Sequence, residues 1–199
     1  MTTLHFWFEL ASTYSYPAAM RVEKRAQAAG ITVAWRPFLL GPIFQAQGWT
    51  DSPFNIYPQK GRYMWRDLER ICAKEGLPFT RPSRFPRPSL MGARVACIGA
   101  HEPWGPAFVR AVYTANFHHD REIGDQGVIA SILRDLGVDP DGILARAQGD
   151  AVKAALRANT DEAIALGIFG APSFTADREL FWGNDRLDDA LAWAAERGA

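Results

Sequence analysis

The amino-acid sequence predicts an α/β fold in which a small sheet-containing domain carries a large all-helical insertion. Two strand-like segments, 4–10 and 31–38, lie near the start of the chain, and a strand hairpin over 173–182 lies near its end. The long segment between them has helical periodicity and no strand pattern. A block of helices between two strand-containing parts indicates an insertion within one α/β domain.

The start of the chain predicts a strand, a helix and a second strand. Apolar residues alternate along 4–10, which is the period of a strand. Ser12 fits the N-cap of the helix that follows, and Gly30 fits the residue that stops it. The segment 31–38 alternates again and contains β-branched residues. Because a helix connects the two strands, we expect a parallel, right-handed βαβ unit.

The middle of the chain predicts six helices. An apolar stripe runs along the first of them, and Gly76 ends it. Asp125 and Asp139 fit N-caps of later helices, and Pro140 suits a first helical position. The predicted helices cover 60–75, 89–100, 106–117, 126–136, a short segment beginning at 140, and 151–166.

The end of the chain predicts a hairpin and a last helix. The two strands of the hairpin cover 173–176 and 179–182. Asn184 or Asp185 is expected to cap a helix that continues to Glu196.

The length of 199 residues suits one domain with an insertion. We assign 1–40 and 168–199 to the sheet-containing domain and 41–167 to the helical insertion, within one continuous globular unit.

Composition excludes several classes of protein. The 22 basic and 22 acidic residues give a net charge of zero, which argues against non-specific nucleic-acid binding. Cys72 and Cys97 form no Cys-x-x-Cys pair, so we expect neither a disulfide framework nor a metal site. No apolar segment is long enough to span a bilayer, and the first residues do not resemble a signal peptide. We therefore expect a cytoplasmic protein.

Two turns are candidates for chemistry. The segment from Ser12 to Ser15 lies where a parallel strand meets a helix, which is where α/β proteins bind ligands and where a helix favours an anion. The alternative is that Ser12 only caps the helix. Pro172 precedes a strand, and we predict a cis peptide bond there that presents the backbone of Ala171 to a ligand; the alternative is an ordinary first residue of the strand.

Further polar residues suggest a bound ligand with two charges. Lys60 lies near the start of a helix, where it opposes the helix dipole unless an anion binds there. The alternative is an ordinary solvated lysine. Asn184 and Asp185 together exceed what one helix cap needs, and they could hold a zwitterionic amino-acid head group.

Four sequence segments together resemble a known family. They are His5-Phe-Trp-Phe-Glu-Leu-Ala-Ser-Thr-Tyr-Ser-Tyr16, Pro58-Gln-Lys-Gly-Arg-Tyr-Met-Trp-Arg-Asp-Leu68, Gly167-Ile-Phe-Gly-Ala-Pro-Ser-Phe174 and Phe181-Trp-Gly-Asn-Asp-Arg-Leu187. They are similar to the 2-hydroxychromene-2-carboxylate isomerases, which belong to the DsbA-like superfamily and are related to kappa-class glutathione transferases. The resemblance runs from about residue 4 to residue 195 and implies a thioredoxin-like fold.

The resemblance implies glutathione as cofactor and assigns its site. The family's active-site serine, which contacts the glutathione sulfur, corresponds to Ser12. The residues expected to bind glutathione are Asn55, Lys60, Asp67, Ala171, Pro172, Asn184 and Asp185. Candidates for the pocket of the second substrate are Trp7, Tyr14, Phe44, Tyr63 and Trp65, with ordinary core packing as the alternative for each.

The residues at the first turn restrict the chemistry. Redox members of this fold carry cysteines where this chain has Ser12 and Ser15, and serines cannot exchange disulfides. The turn can still stabilise a thiolate that the cofactor supplies. Two residues depart from the family pattern: Thr13 replaces a common proline, and Pro88 replaces a common asparagine near the second-substrate pocket.

The resemblance implies a glutathione-dependent isomerase that interconverts 2-hydroxychromene-2-carboxylate and trans-o-hydroxybenzylidenepyruvate in the breakdown of aromatic compounds. One alternative is a kappa-like glutathione transferase, or another glutathione-dependent protein of this fold, that acts on a different electrophile. Another is a DsbA-like binding or chaperone-like protein without catalysis. The expected partners are a small aromatic substrate and a second copy of the chain, with no nucleic acid and no membrane.

Overall fold

The computed structural model describes residues 2–198, and these residues form a four-stranded mixed sheet with helices around it. The strands are β1 (Thr3–Phe8), β2 (Thr32–Pro37), β3 (Ser173–Ala176) and β4 (Glu179–Trp182), in the spatial order β2-β1-β3-β4. Strands β1 and β2 are parallel, whereas β3 is antiparallel to both β1 and β4. The predicted α/β class and the predicted hairpin are confirmed.

The first helix, α1 (Ser15–Ala28), connects the two parallel strands. Gly30 ends it with a φ of 69°, and the amide of Ile31 donates to the carbonyl of Ala26 at 2.9 Å. This left-handed residue and its hydrogen bond are typical of a helix stop that favours glycine. The βαβ unit and its C-terminal signal were therefore predicted correctly.

The prediction that Ser12 caps α1 is wrong. The helix begins three residues later, at Ser15, and Tyr14 occupies the cap position without a capping side chain. The Ser12 hydroxyl donates to the carbonyl of Ala171 at 2.9 Å and accepts from the amide of Ser15 at 3.4 Å. The Ser12 hydroxyl thus joins the first residue of α1 to a distant loop, while the cap position itself lies two residues further along the chain.

The helical block contains all six predicted helices and two short ones that the sequence analysis missed. The missed helices are α2 (Leu40–Ala46) and α3 (Pro53–Ile56), which are too short for a clear period. The six predicted helices are α4 (Pro58–Glu75), α5 (Leu90–Gly99), α6 (Gly105–Phe117), α7 (Gln126–Asp135), α8 (Pro140–Ala147) and α9 (Asp150–Ala165). Asp125 and Asp139 cap α7 and α8 through their carboxylates, as predicted.

The last helix, α10 (Leu187–Gly198), begins later than predicted. A short 3₁₀ turn occupies 184–186, and neither Asn184 nor Asp185 caps a helix with its side chain. The side-chain oxygen of Asn184 accepts a hydrogen bond from Arg21 of α1 at 2.5 Å. The side chain of Asp185 is 77% exposed and lies 3.8 Å from Arg186. The capping prediction for this pair is therefore wrong, because a distant arginine binds Asn184.

The helical insertion and the sheet share one hydrophobic core. Phe6 of β1 stacks on Phe174 of β3 at 5.3 Å, and both belong to the same buried cluster as Met64 of α4 and Tyr113 of α6. The boundaries predicted for the insertion, 41 and 167, stay a prediction. None of the helices in the described part of the chain is long and apolar enough to cross a membrane.

Candidate active site

The turn after β1 and the loop before β3 lie side by side. Because β1 pairs with β3 from His5 to Trp7, the end of one strand meets the start of the other. The Ser12 hydroxyl contacts the Ala171 carbonyl at 2.9 Å across this junction. The Ala171–Pro172 peptide bond is cis, which confirms the sequence prediction. The two turns singled out in the sequence thus form one structural feature.

The first turn offers hydrogen-bond donors to an anion. Ser12 is partly exposed, and α1 begins immediately after the turn with its N-terminus facing the same junction. Within the described residues, no hydrogen bond occupies the amides of Thr13 and Tyr14. Free amides and a helix N-terminus stabilise negative charge, so this turn suits a thiolate or another anion.

The buried residue Glu9 fixes the position of the first turn through hydrogen bonds. The backbone carbonyl of Glu9 accepts from the amide of Ser12 and from the hydroxyl of Tyr113, each at 2.9 Å. One carboxyl oxygen accepts from the amide of Ala11 at 3.0 Å, and the other accepts from the hydroxyl of Ser89. Burial raises the pKa of Glu9 to about 7. Sequence reasoning missed Glu9, although a carboxylate between Phe8 and Leu10 is the signal that could have found it.

The chain's own thiols are not placed for catalysis. Cys72 and Cys97 are both buried and both free. Burial raises the pKa of each thiol to about 11, so both stay protonated near neutral pH. With Ser12 and Ser15 at the first turn, a nucleophilic thiolate at this site has to come from a bound molecule.

A groove of about 760 Å³ runs between α1, α4 and the turn after β4. Asp67, Asn184 and Asp185 line it, as do Tyr14 and the cations Arg21, Arg25 and Lys74. Three residues assigned to glutathione are therefore brought together by the fold. A groove with charges of both signs is suited to a zwitterionic ligand.

The resemblance assigned Ser12 and Lys60 to the same glutathione site as Asn184 and Asp185, but the structure does not bring all four to one groove. Neither Ser12 nor Lys60 lines the groove. Tyr14 lies between the first turn and α4, where its hydroxyl donates to Asp67 at 3.0 Å. Burial and this hydrogen bond raise the pKa of Tyr14, which keeps it a neutral donor.

Lys60 lies on the same helix as Asp67 but at its exposed N-terminal end, with its ammonium 5.0 Å from the ring centre of Tyr57. Seven residues separate Lys60 from Asp67, which is two helical turns, so both lie on one side of α4.

Asn55 lies apart from the groove. The amide of Asn55 donates to Asp51 at 3.0 Å and to the carbonyl of Phe85 at 3.2 Å. Its side chain is exposed, and these bonds connect α3 to the loop before α5. The structure does not bring Asn55 to the groove that holds Asp67.

The aromatic side chains predicted as one pocket are dispersed, and of these rings only Tyr14 lines the groove. Trp7 is fully buried and donates to Thr175 at 2.9 Å, so it belongs to the core. Trp65 is buried too, with its ring 4.9 Å from that of Phe85.

The remaining two rings lie elsewhere. Phe44 packs against Trp49 at 5.5 Å, and Tyr63 is 62% exposed. The five rings therefore do not line one pocket, and for Trp7 and Trp65 the alternative of core packing holds.

Comparison with protein families assigns residues 3–192 to the DSBA-like thioredoxin domain. The chain belongs to this family. The thioredoxin-like fold that the resemblance implied is thereby confirmed, and so is the relationship to the 2-hydroxychromene-2-carboxylate isomerases.

Three relatives of this DSBA-like protein are informative. It is 30% identical to a 2-hydroxychromene-2-carboxylate isomerase from Sphingobium xenophagum, over 94% of each chain. It is 26% identical to glutathione S-transferase kappa 2 from Caenorhabditis elegans, over 96% of this chain and 91% of that one. A solved structure of a 2-hydroxychromene-2-carboxylate isomerase superimposes with a TM-score of 0.87 at 26% identity, covering 98% of this chain and 95% of the other.

Proposed function

We propose that this protein is a glutathione-dependent isomerase of the 2-hydroxychromene-2-carboxylate type. The observation that carries the proposal is the Ser12 hydroxyl, held at the N-terminal end of α1 beside Ala171 in a site without a usable protein thiol. The similarity to relatives named 2-hydroxychromene-2-carboxylate isomerase supports the same function. The substrate pair is 2-hydroxychromene-2-carboxylate and trans-o-hydroxybenzylidenepyruvate.

Glutathione fits the residues at this site. It is a peptide with one amino group, two carboxylates and a thiol, and the groove carries both acidic and basic side chains. When bound, glutathione would supply a thiolate that adds reversibly to the conjugated double bond of the open substrate and so permits rotation about that bond.

Ser12 acts on the sulfur in this proposal. Its hydroxyl donates to the Ala171 carbonyl in the absence of ligand, at 2.9 Å. A thiolate next to the turn is a stronger acceptor than a carbonyl oxygen, so the hydroxyl would turn toward the sulfur. The Ala171 carbonyl is then free to accept from the peptide backbone of glutathione. The amides of Thr13 and Tyr14 add to the stabilisation of the thiolate.

The groove residues orient the peptide. Asp67 and Asp185 are the acceptors for the amino group, and Arg25 is a cation for the adjacent carboxylate. Arg21 already holds Asn184 at 2.5 Å and Glu75 at 3.1 Å, so it fixes the wall of the groove. Lys60 and Asn55, which lie outside the groove, are proposed to contact the other carboxylate at the exposed end of α4. Pro172 fixes the direction of the Ala171 backbone.

The cell compartment and assembly are part of the proposal. Glutathione is abundant in the reducing cytosol, and a site that depends on it belongs there. We therefore propose a cytoplasmic enzyme in the breakdown of aromatic compounds that works as a homodimer on a small aromatic substrate.

The second candidate function is a kappa-like glutathione transferase that acts on another electrophile. Similarity to glutathione S-transferase kappa 2 over 96% of the chain favours it. The same thiolate site would serve both reactions, and only the second substrate differs.

Two measurements test the proposal on the purified protein. Calorimetry should detect saturable glutathione binding, and absorbance should show interconversion of the two substrate isomers that requires glutathione. S12A should bind glutathione but isomerise slowly. Glutathione conjugation without isomerisation would favour the transferase. Absence of glutathione binding would overturn both candidate functions.

A further inference from the structure

Two aromatic side chains form a half-exposed pair outside the core. The rings of Phe169 and Trp182 lie 4.9 Å apart with an angle of 54° between their planes. Phe169 is 46% exposed and Trp182 is 52% exposed. We call these two side chains the aromatic pair. Large exposed apolar groups next to a polar site are a feature of ligand-binding surfaces.

The aromatic pair lies next to the loop that carries the cis peptide bond. The indole of Trp182 lies against Gly170, where an added Cβ would overlap its nitrogen and approach Cε2 to 3.1 Å. Gly170 immediately precedes Ala171, whose carbonyl contacts the Ser12 hydroxyl. The lack of a side chain at Gly170 therefore allows the indole to approach the loop that carries the cis peptide bond.

The aromatic pair and the groove have different chemistry. The charged groove reaches Trp182 at one end, where Gly183 and Asp185 follow it in sequence. The groove is suited to a charged peptide, but its ionic lining offers little to a flat apolar ring. The aromatic pair offers two ring surfaces and no charge. Trp182 belongs to both surfaces, because it lines the groove and lies against Gly170, the neighbour of Ala171 in the chain. Two ligands could therefore meet at Trp182.

We propose that Trp182 and Phe169 form the platform on which the planar, conjugated second substrate stacks, while the groove holds glutathione. This inference rests on the proposed function and names the residues that select the electrophile. Stacking on Trp182 favours flat, delocalised molecules over saturated ones of the same size. The platform therefore selects for planar, conjugated molecules such as chromene carboxylates.

A binding experiment without glutathione tests the platform. The probe is 2-naphthoate, and its saturated analogue decahydro-2-naphthoate has the same carbon skeleton and charge. Equilibrium dialysis gives the Kd of each for wild type, W182L and W182F. The matched control is W49L, because Trp49 forms a second tilted pair with Phe44 at 5.5 Å and 55°.

We expect wild type to prefer 2-naphthoate over the saturated analogue. W182L should weaken 2-naphthoate binding by about threefold to tenfold, the range expected from one aromatic stacking contact. W182F keeps an aromatic ring at position 182, and W49L leaves both rings of the platform in place. The Kd of each variant should therefore stay within about twofold of wild type.

Other outcomes would overturn the platform. They are equal binding of the two probes, no binding of 2-naphthoate, an unchanged Kd in W182L, or an equal loss in W49L. A change of W182L from dimer to monomer in sedimentation would assign the aromatic pair to a protein interface instead. Failure of wild type to bind glutathione in a separate titration would overturn the proposed function, and the dialysis still reports on the platform alone.

Discussion

The Ser12 hydroxyl donates a hydrogen bond to the Ala171 carbonyl at 2.9 Å, although 159 residues separate the two in the chain. This contact joins the start of α1 to the loop with the cis Ala171–Pro172 bond. It also directs the hydroxyl toward the place where a ligand backbone would pair with Ala171. Pairing between β1 and β3 therefore brings the two turns of the site together, with the Ser12 hydroxyl at their junction.

Replacement of Ser12 by alanine should slow isomerisation far more than it destabilises the protein. Loss of one preorganised donor to an anion lowers kcat by about 10²–10³-fold, whereas loss of one hydrogen bond lowers the free energy of unfolding by about 1 kcal/mol. The pKa of the bound glutathione thiol should rise, because the hydrogen bond favours the thiolate. The measurement is kcat against pH at saturating glutathione.

The matched control for this prediction is S15A, which removes a fully buried hydroxyl from the same turn region. It should change stability without moving the pH midpoint of kcat. An unchanged rate and midpoint in S12A would reduce Ser12 to a structural contact and contradict the mechanism.

Replacement of Glu9 by glutamine should change how stability depends on pH. Burial raises the pKa of Glu9 in the folded protein from 4.5 to about 7. The folded state thus holds this proton more tightly than the unfolded state, and the associated stability is lost as pH rises through 7. Relative to E9Q, the free energy of unfolding of wild type should fall by up to about 3 kcal/mol between about pH 4 and pH 8.

Urea unfolding of both proteins across this pH range checks the Glu9 prediction. E179Q removes a carboxylate from an exposed position of β4 and controls for general charge effects. A difference between wild type and E9Q that does not vary with pH would show that the pKa of Glu9 is the same in the folded and unfolded protein, and would contradict the prediction.

Replacement of Asp67 by asparagine should weaken glutathione binding with little effect on kcat at saturation. The change removes the charge that we propose pairs with the amino group of glutathione, but it keeps an acceptor for the Tyr14 hydroxyl, now 3.0 Å away. Loss of a charge-assisted hydrogen bond corresponds to about tenfold to a hundredfold in Kd. Calorimetric titration with glutathione provides the measurement.

The matched control for Asp67 is D188N, another carboxylate on the wall of the groove, which is 64% exposed and pairs with Arg25 at 3.3 Å. Screening at the surface should keep its effect within about threefold. Equal losses in D67N and D188N would show a diffuse electrostatic effect rather than a specific contact.

Replacement of Gly170 by alanine should displace the indole of Trp182. The new methyl group would overlap the indole nitrogen, and the half-exposed ring can move outward into solvent. We expect a loss of about 1 kcal/mol in the free energy of unfolding, at the lower end for overpacking. In the W182A background the same substitution should have no such effect, because the ring is absent.

Chemical unfolding of the four proteins in this double-mutant cycle gives the coupling between positions 170 and 182. Additive effects would show that the indole does not rest on Gly170. A larger loss in the W182A background would contradict the overlap altogether.

Local signals in the sequence were sufficient for most of the fold. Gly30 ends α1 because a left-handed residue is needed there, and Asp125 and Asp139 cap α7 and α8 through amides two or three residues away. Such signals involve atoms within one helical turn, so the chain specifies them without help from the rest of the molecule. The short helices α2 and α3 were missed because they are too short to show a period.

Predictions about side-chain partners were incomplete where a partner is distant in sequence. Ser12 binds Ala171 as well as the amide of Ser15, and Asn184 binds Arg21. The contacts with Ala171 and Arg21 span 159 and 163 residues. In both cases the residue type fits a helix cap, and a competing partner appears only when the chain is folded. Trp7 likewise joined the core because its side of β1 is covered by helices.

The sequence by itself determined the order of the strands and helices, the two serines at the first turn and the family of the protein, because these depend on residue identity and short spacings. The tertiary structure decided which polar groups meet. It separated Lys60 from the groove of Asp67, buried Glu9 until its pKa rose to about 7, and left Trp182 exposed beside Gly170. Burial, electrostatic environment and long-range hydrogen bonds depend on distances between segments, and only the packing of the sheet with its helices fixes those distances.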